Sequence, residues 1–234
     1  MKKKFLNIIV IIFSIILAFI IISPFILSPF EEPANRFFKV DYKSSKEKVI
    51  VISWAGCPIG ASLSWPLYFT LEKYGNVTYY NWHSDPKDSF ASTPGLIFKN
   101  YTSSRLSANF IYLYNETLTG NFKNQSITGN LVNYGLSELK ELLSPQLYNI
   151  AKKYTTQEWI SGGYFQTSAD SVSPHHINTI IIITGSNGTY LLNGQLYSPA
   201  KIASYSDNQL LNNGMNISYI QNACKQINNA VQKA

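Results

Sequence analysis

The chain has 234 residues, 45% of them apolar and 14% charged, with 19 Lys+Arg against 13 Asp+Glu. The apolar share supplies a packed core and excludes a disordered, solvating chain; the length gives one domain plus an anchor rather than two catalytic domains. Three of the positive charges are Lys2, Lys3 and Lys4, and no later run of three basic residues offers the electrostatic footprint of nucleic-acid binding.

No charge interrupts the stretch from Phe5 to Phe30, and Ile8 to Ile22 is apolar apart from Ser14. A charge at the bilayer centre costs roughly 2.5–3.5 kcal/mol on insertion scales, so a charge-free run of this length predicts a membrane helix within residues 1–30. Phe5 to Leu27 exceeds the about 20 residues that cross a hydrocarbon core. It also exceeds the about 7–15 apolar residues of a cleaved signal peptide, and no A-x-A-like site follows. The segment therefore reads as a retained signal anchor. With the lysines held on the cytoplasmic side, the expectation is a single-pass protein of the cell membrane whose remaining chain is extracytoplasmic.

Residues 31–47 read as a polar tether, and 48–234 as the outer domain. Lys48 to Trp54 is β-branched and nearly continuous, the pattern of a strand buried on both faces. After Ala55-Gly56-Cys57-Pro58-Ile59-Gly60, the stretch Ala61 to Tyr74 has helical spacing and stops at Gly75-Asn76. Val77 to His83 is a second strand, taken as parallel to the first in a βαβ unit. Gly95 to Lys99 and Phe110 to Tyr114 are a third and fourth, expected to pair antiparallel across residues 100–109. Residues 115–176 form an irregular insertion that carries a helix from Ser137, its expected N-cap, to Tyr154, kinked or restarted at Pro145. Ile177 to Thr184 and Thr189 to Leu192 read as strands joined by a turn. Asn216 to Ala234 places Ile217, Ile220, Ala223, Cys224, Ile227 and Val231 on one helical face.

Ser53-Trp54-Ala55-Gly56-Cys57-Pro58-Ile59-Gly60 resembles the W-x-x-W-C-x-x-C corner of thioredoxin-like proteins, with the first cysteine present and Gly60 in place of the second. Pro66 stands two turns into the following helix, where that family's helix kinks. Thr93-Pro94 precedes a strand, as the family's cis-proline does. The resemblance is strongest to an uncharacterised archaeal, membrane-anchored branch of the superfamily, and Cys224 is similar to cysteines of that branch's terminal helix. It implies an α/β fold with a mixed sheet flanked by helices, following the N-terminal transmembrane helix. It also implies a peptide groove at Trp54, Pro58, Thr93 and Pro94.

Cys57 is the candidate nucleophile, because a thiol at a helix N-terminus gains thiolate character from the exposed N–H groups. A two-cysteine redox cycle needs a neighbouring thiol to release the substrate, and Gly60 supplies none. Three readings of Cys57 therefore stand side by side. It is a relic in a non-catalytic scaffold that binds a peptide or protein client, a monothiol oxidoreductase centre, or half of a structural disulfide with Cys224. His175-His176, with His83, lack a cysteine or carboxylate at ligand spacing, so no metal is expected, and no cofactor motif is present.

Overall fold

The computed structural model describes the backbone of residues 2–27, 31–32, 35–161 and 165–234; before residue 35, side chains are described only at 7 and 9–22. Helix α1 (Lys2–Leu27) is followed by β1 (Glu31–Glu32), β2 (Phe38–Val40), β3 (Lys48–Ser53) and α2 (Pro58–Leu71). Then come β4 (Asn76–His83), β5 (Pro94–Thr102), β6 (Ser107–Tyr112), α3 (Leu131–Leu142), α4 (Pro145–Thr156) and β7 (Trp159–Ile160). The chain closes with β8 (Ile180–Thr184), β9 (Thr189–Asn193), α5 (Asp207–Asn213) and α6 (Ser218–Lys233).

The core is a five-stranded mixed sheet in the order β2-β9-β8-β3-β6, in which only β3 and β6 run parallel. Strands β3 and β8 are apolar on both faces and so carry two cores. Val49 and Val51 sit opposite Ile183 and Ile181 and face α2 and α6, whereas Ile50 and Ile52 sit opposite Ile182 and Ile180 and face α3 and α4. Helices on both sides account for a strand without polar alternation. Strands β4 and β5 form a separate antiparallel hairpin, with Val77, Leu96 and Phe98 joining the α2 side of the core.

Several expected pairings differ. The parallel partner of β3 is β6, not the strand at Val77 to His83, which pairs antiparallel with β5. Thus β6 is not the antiparallel neighbour of β5; the hairpin is inserted between α2 and the strand that completes the parallel crossover. The expected tether contributes Phe38–Val40 to the sheet edge against β9. Inside the expected irregular insertion lie two helices, capped by Asn130 and Ser144, whose side chains accept from Asn133 N and Leu147 N. Ser137 falls inside α3, while Pro145 occupies the first turn of α4, where its missing N–H costs nothing.

Pro66 lies inside α2 and deprives the Ser62 carbonyl of its helical donor. The Tyr197 hydroxyl donates to Ser62 O instead, at 2.6 Å. Helix α2 and β5 approach so closely at Gly95 that a Cβ there would stand 2.6 Å from Ala61.

In α1 the large apolar side chains described between Ile9 and Ile22 are 47–67% exposed. Among the described residues no helix is long and apolar enough to cross a membrane. The expected span from Phe5 to Leu27 lies partly outside the described side chains, and residues 28–30 of the anchor lie wholly outside the described residues.

Candidate functional site

The corner between β3 and α2 builds the site. Cys57 is the N-cap of α2: its backbone is extended (φ −68, ψ 117), its Sγ accepts from Gly60 N at 3.3 Å, and Pro58 opens the first turn. Sulfur here takes the place of the usual hydroxyl or carboxylate oxygen. The segment leading into β8 closes over it. Thr179 Oγ1 lies 2.9 Å from Cys57 Sγ and 2.8 Å from Ser53 Oγ, and Asn178 Oδ1 lies 3.7 Å from the sulfur.

Cys57 is only 2% exposed. Burial pushes its thiol up from the ordinary range, and the hydrogen bonds from Thr179, Gly60, Ile59 and Ser53 oppose that shift without cancelling it. Desolvation outweighs the helix N-terminus, so the expected thiolate gives way to a protonated, capped thiol. The disulfide alternative is not formed: Cys57 and Cys224 are both free, and they belong to the two cores on opposite sides of the sheet. Cys224 instead directs its sulfur to Pro66 O at 3.6 Å.

Gly60, at the place of the missing second cysteine, is tightly enclosed. A Cβ there would meet Ser53 Oγ at 2.2 Å and Thr179 Oγ1 at 3.2 Å. Gly60→Ala should therefore destabilise the protein by about 1–3 kcal/mol, the ordinary range for overpacking, despite alanine's better helix propensity. Adding Ser53→Ala should recover most of that loss, and denaturant unfolding of the four members of the cycle measures the coupling. Additive effects would show that the Ser53 hydroxyl is not the obstacle.

Outside Cys57 opens a cleft of ≈ 430 Å³. Trp54 and Pro58 line it from the corner, Phe90 from the loop before β5, and Val172, His176 and Asn178 from the chain before β8. Lys87 and Asp88 stand side by side on its wall. The Trp54 indole N–H has no hydrogen-bond partner among the described residues, and the ring packs edge-on to His176 at 5.2 Å.

Thr93 and Pro94 are not part of this cleft. Thr93 is fully buried, with its N–H donating to Ser84 Oγ and its hydroxyl to Phe90 O. Pro94 O accepts from Trp65 Nε1 at 2.9 Å, which braces the hairpin on α2. Among the described residues the cis X–Pro bond is Ser173–Pro174, not Thr93–Pro94. The place next to the Cys57 sulfur, assigned by resemblance to Pro94, is held by Thr179.

The histidines separate as well. His176 is buried against Trp54 and Tyr114, whereas His175 is exposed with Nδ1 against Val172 O. His83 stacks flat on Trp82, 3.8 Å from Glu116. No metal-holding group of three such side chains exists among the described residues. Sequence reasoning missed His176, Asn178 and Thr179 as neighbours of Cys57. Their one signal was position, immediately before the strand that turned out to flank β3.

The profile of DUF929, a domain of unknown function, matches residues 37–233, and the chain belongs to that family. No curated protein and no solved structure matches it.

Proposed function

We propose that this DUF929 member is a redox-silent, thioredoxin-like domain, tethered to the cell membrane by α1 and standing outside the cell. Its role is to hold a segment of a peptide or protein client in the cleft beside Cys57. Support for the thioredoxin-like kinship comes from the order of elements: a parallel β3–α2–β6 crossover with cysteine at its first corner, then the antiparallel β8–β9 pair and α6. Support for the tether comes from the charge-free run after Lys2-Lys3-Lys4 and from the exposed apolar side chains of α1, a surface that water does not favour.

One observation carries the non-catalytic reading: Cys57 is spent as a buried helix cap, with glycine where a resolving thiol would stand. A monothiol oxidoreductase needs its sulfur presented as thiolate, and here desolvation opposes that state.

The test is reduction of a mixed disulfide by the full chain in detergent with excess glutathione. No turnover above background is expected, and Cys57→Ser should leave the rate unchanged. Turnover that vanishes in Cys57→Ser would establish the monothiol enzyme instead. Protease treatment of intact cells should digest the domain while leaving α1 with the membrane; protection of the domain would overturn the outward orientation.

A further inference from the structure

Besides the Trp54 indole N–H, two nearly buried side chains in the cleft hold hydrogen-bonding capacity that no described residue uses. His176 is 4% exposed, and its Nδ1 lies 2.6 Å from Pro174 O. A carbonyl only accepts, so Nδ1 carries the proton and Nε2 presents a lone pair with no partner among the described residues. Asn178 is 9% exposed, and its Oδ1 accepts from Thr179 N at 2.8 Å. Its orientation is thereby fixed, leaving Nδ2 a donor without a partner among the described residues. Both residues line the cleft.

The unused groups are one acceptor, His176 Nε2, and two donors, Asn178 Nδ2 and the Trp54 indole N–H, all uncharged. A carboxylate would satisfy Asn178 Nδ2 but oppose the lone pair of His176, and an ammonium would do the reverse. Lys87 and Asp88 both line the cleft, so a charge of each sign is present there. An amide answers both kinds of group, with its N–H to Nε2 and its carbonyl to Nδ2, while Trp54, Phe90 and Leu118 pack its apolar substituents.

We propose that the cleft recognises one neutral amide of its client, a main-chain peptide group or a primary carboxamide, through His176 Nε2 and Asn178 Nδ2. This rests on the client-binding reading above. Recognition through side chains also separates the site from sheet-edge pairing, in which backbone groups supply the bonds.

The groups near His176 are Asp88, Lys87 and Cys57, which line the same cleft, His175 beside it in the chain, and Tyr114 edge-on to its ring. Burial lowers the His176 imidazole from its ordinary range, while the bond to Pro174 and the nearby Asp88 pull the other way. The imidazole is therefore neutral near pH 7, and acid converts its acceptor into a second donor.

The probes are acetylphenylalanine N-methylamide for the main-chain amide and 3-phenylpropanamide for the carboxamide, each beside its methyl ester. Ligand-observed NMR on the full chain in detergent reads their binding. At pH 7.5 at least one amide should bind about 5-fold more tightly than its ester, the worth of one net hydrogen bond. Whichever amide shows the preference identifies the source. Asn178→Asp keeps the acceptor for Thr179 N–H and removes the donor, and should abolish the preference. In the native protein the preference should fade in acid, below the ordinary histidine range, as His176 protonates, and His176→Gln, with its pH-independent amide oxygen, should make it insensitive to acid. His175→Gln and Asp88→Asn should leave the preference in place.

Equal binding of amides and esters overturns the amide assignment and leaves a client site of other chemistry. If no probe binds and a reduced, carboxymethylated polypeptide is not retained either, the client-binding reading falls and takes this proposal with it.

Discussion

Native Cys57 is expected to react with iodoacetamide at pH 8 at least about a hundredfold more slowly than the same thiol in the denatured chain, because reaction waits for local opening. Cys57 is 2% exposed, and its sulfur accepts from Gly60 N and faces Thr179 and Asn178. Two barriers act together: the thiol is inaccessible, and burial raises its pKa so that little thiolate forms. Mass spectrometry assigns the label to Cys57 or Cys224, which is needed because both are buried. A native rate matching the denatured one, or a titration midpoint at or below about 8.5, would refute this account of the site. The same shift has an alkaline consequence. The unfolded chain releases this proton near about pH 8.5 while the native chain holds it higher, so the stability it contributes is present below that pH and lost as pH rises toward the native pKa. Cys57→Ser should flatten that alkaline slope.

Trp65→Ala should lower the unfolding free energy by about 3–5 kcal/mol, the range for removing a large aromatic from a core. Trp65 is 0% exposed, and its indole N–H binds Pro94 O. It is the strut between α2 and the β4–β5 hairpin, beside the contact of Gly95 on Ala61 and the bond from Leu96 N to Ser64 Oγ. Trp65→Phe keeps much of the ring but leaves the carbonyl unpaired, so its loss should be smaller, near about 1–3 kcal/mol. Denaturant unfolding of the full chain measures both. A loss below about 1 kcal/mol for Trp65→Ala would mean that the hairpin is held by other contacts.

Much of the architecture is legible in local pattern, and most of what is not involves pairing between distant segments. Lys48 to Trp54 reads as a strand buried on both faces, and Lys48–Ser53 is one; the apolar stripe of the last helix contains most of its buried residues. Which strand lies beside which is another matter. Val77 to His83 carries the same β-branched and aromatic signal whether it joins the central sheet or folds back on β5, because pairing is set by contacts far apart in sequence. Ser137, the expected cap, lies inside the helix that Asn130 caps, because both are capping residue types and the apolar pattern does not mark where the helix begins.

For the site, the corner sequence located Cys57 at a helix start, where it is. Its burial was invisible, since the covering groups, Asn178 and Thr179, arrive from more than a hundred positions later. Trp54 and Pro58 do line the cleft; Thr93 and Pro94 do not, because residues before a strand meet the cysteine only when that strand neighbours β3. The strand that does so is β8.

The attachment of β2 to β9 shortens the leash on the domain. Only residues 28–37 separate α1 from the sheet edge, a contour of roughly 33–36 Å even when drawn out straight. If α1 lies in a bilayer as proposed, that contour bounds how far the sheet edge can stand from the lipid surface.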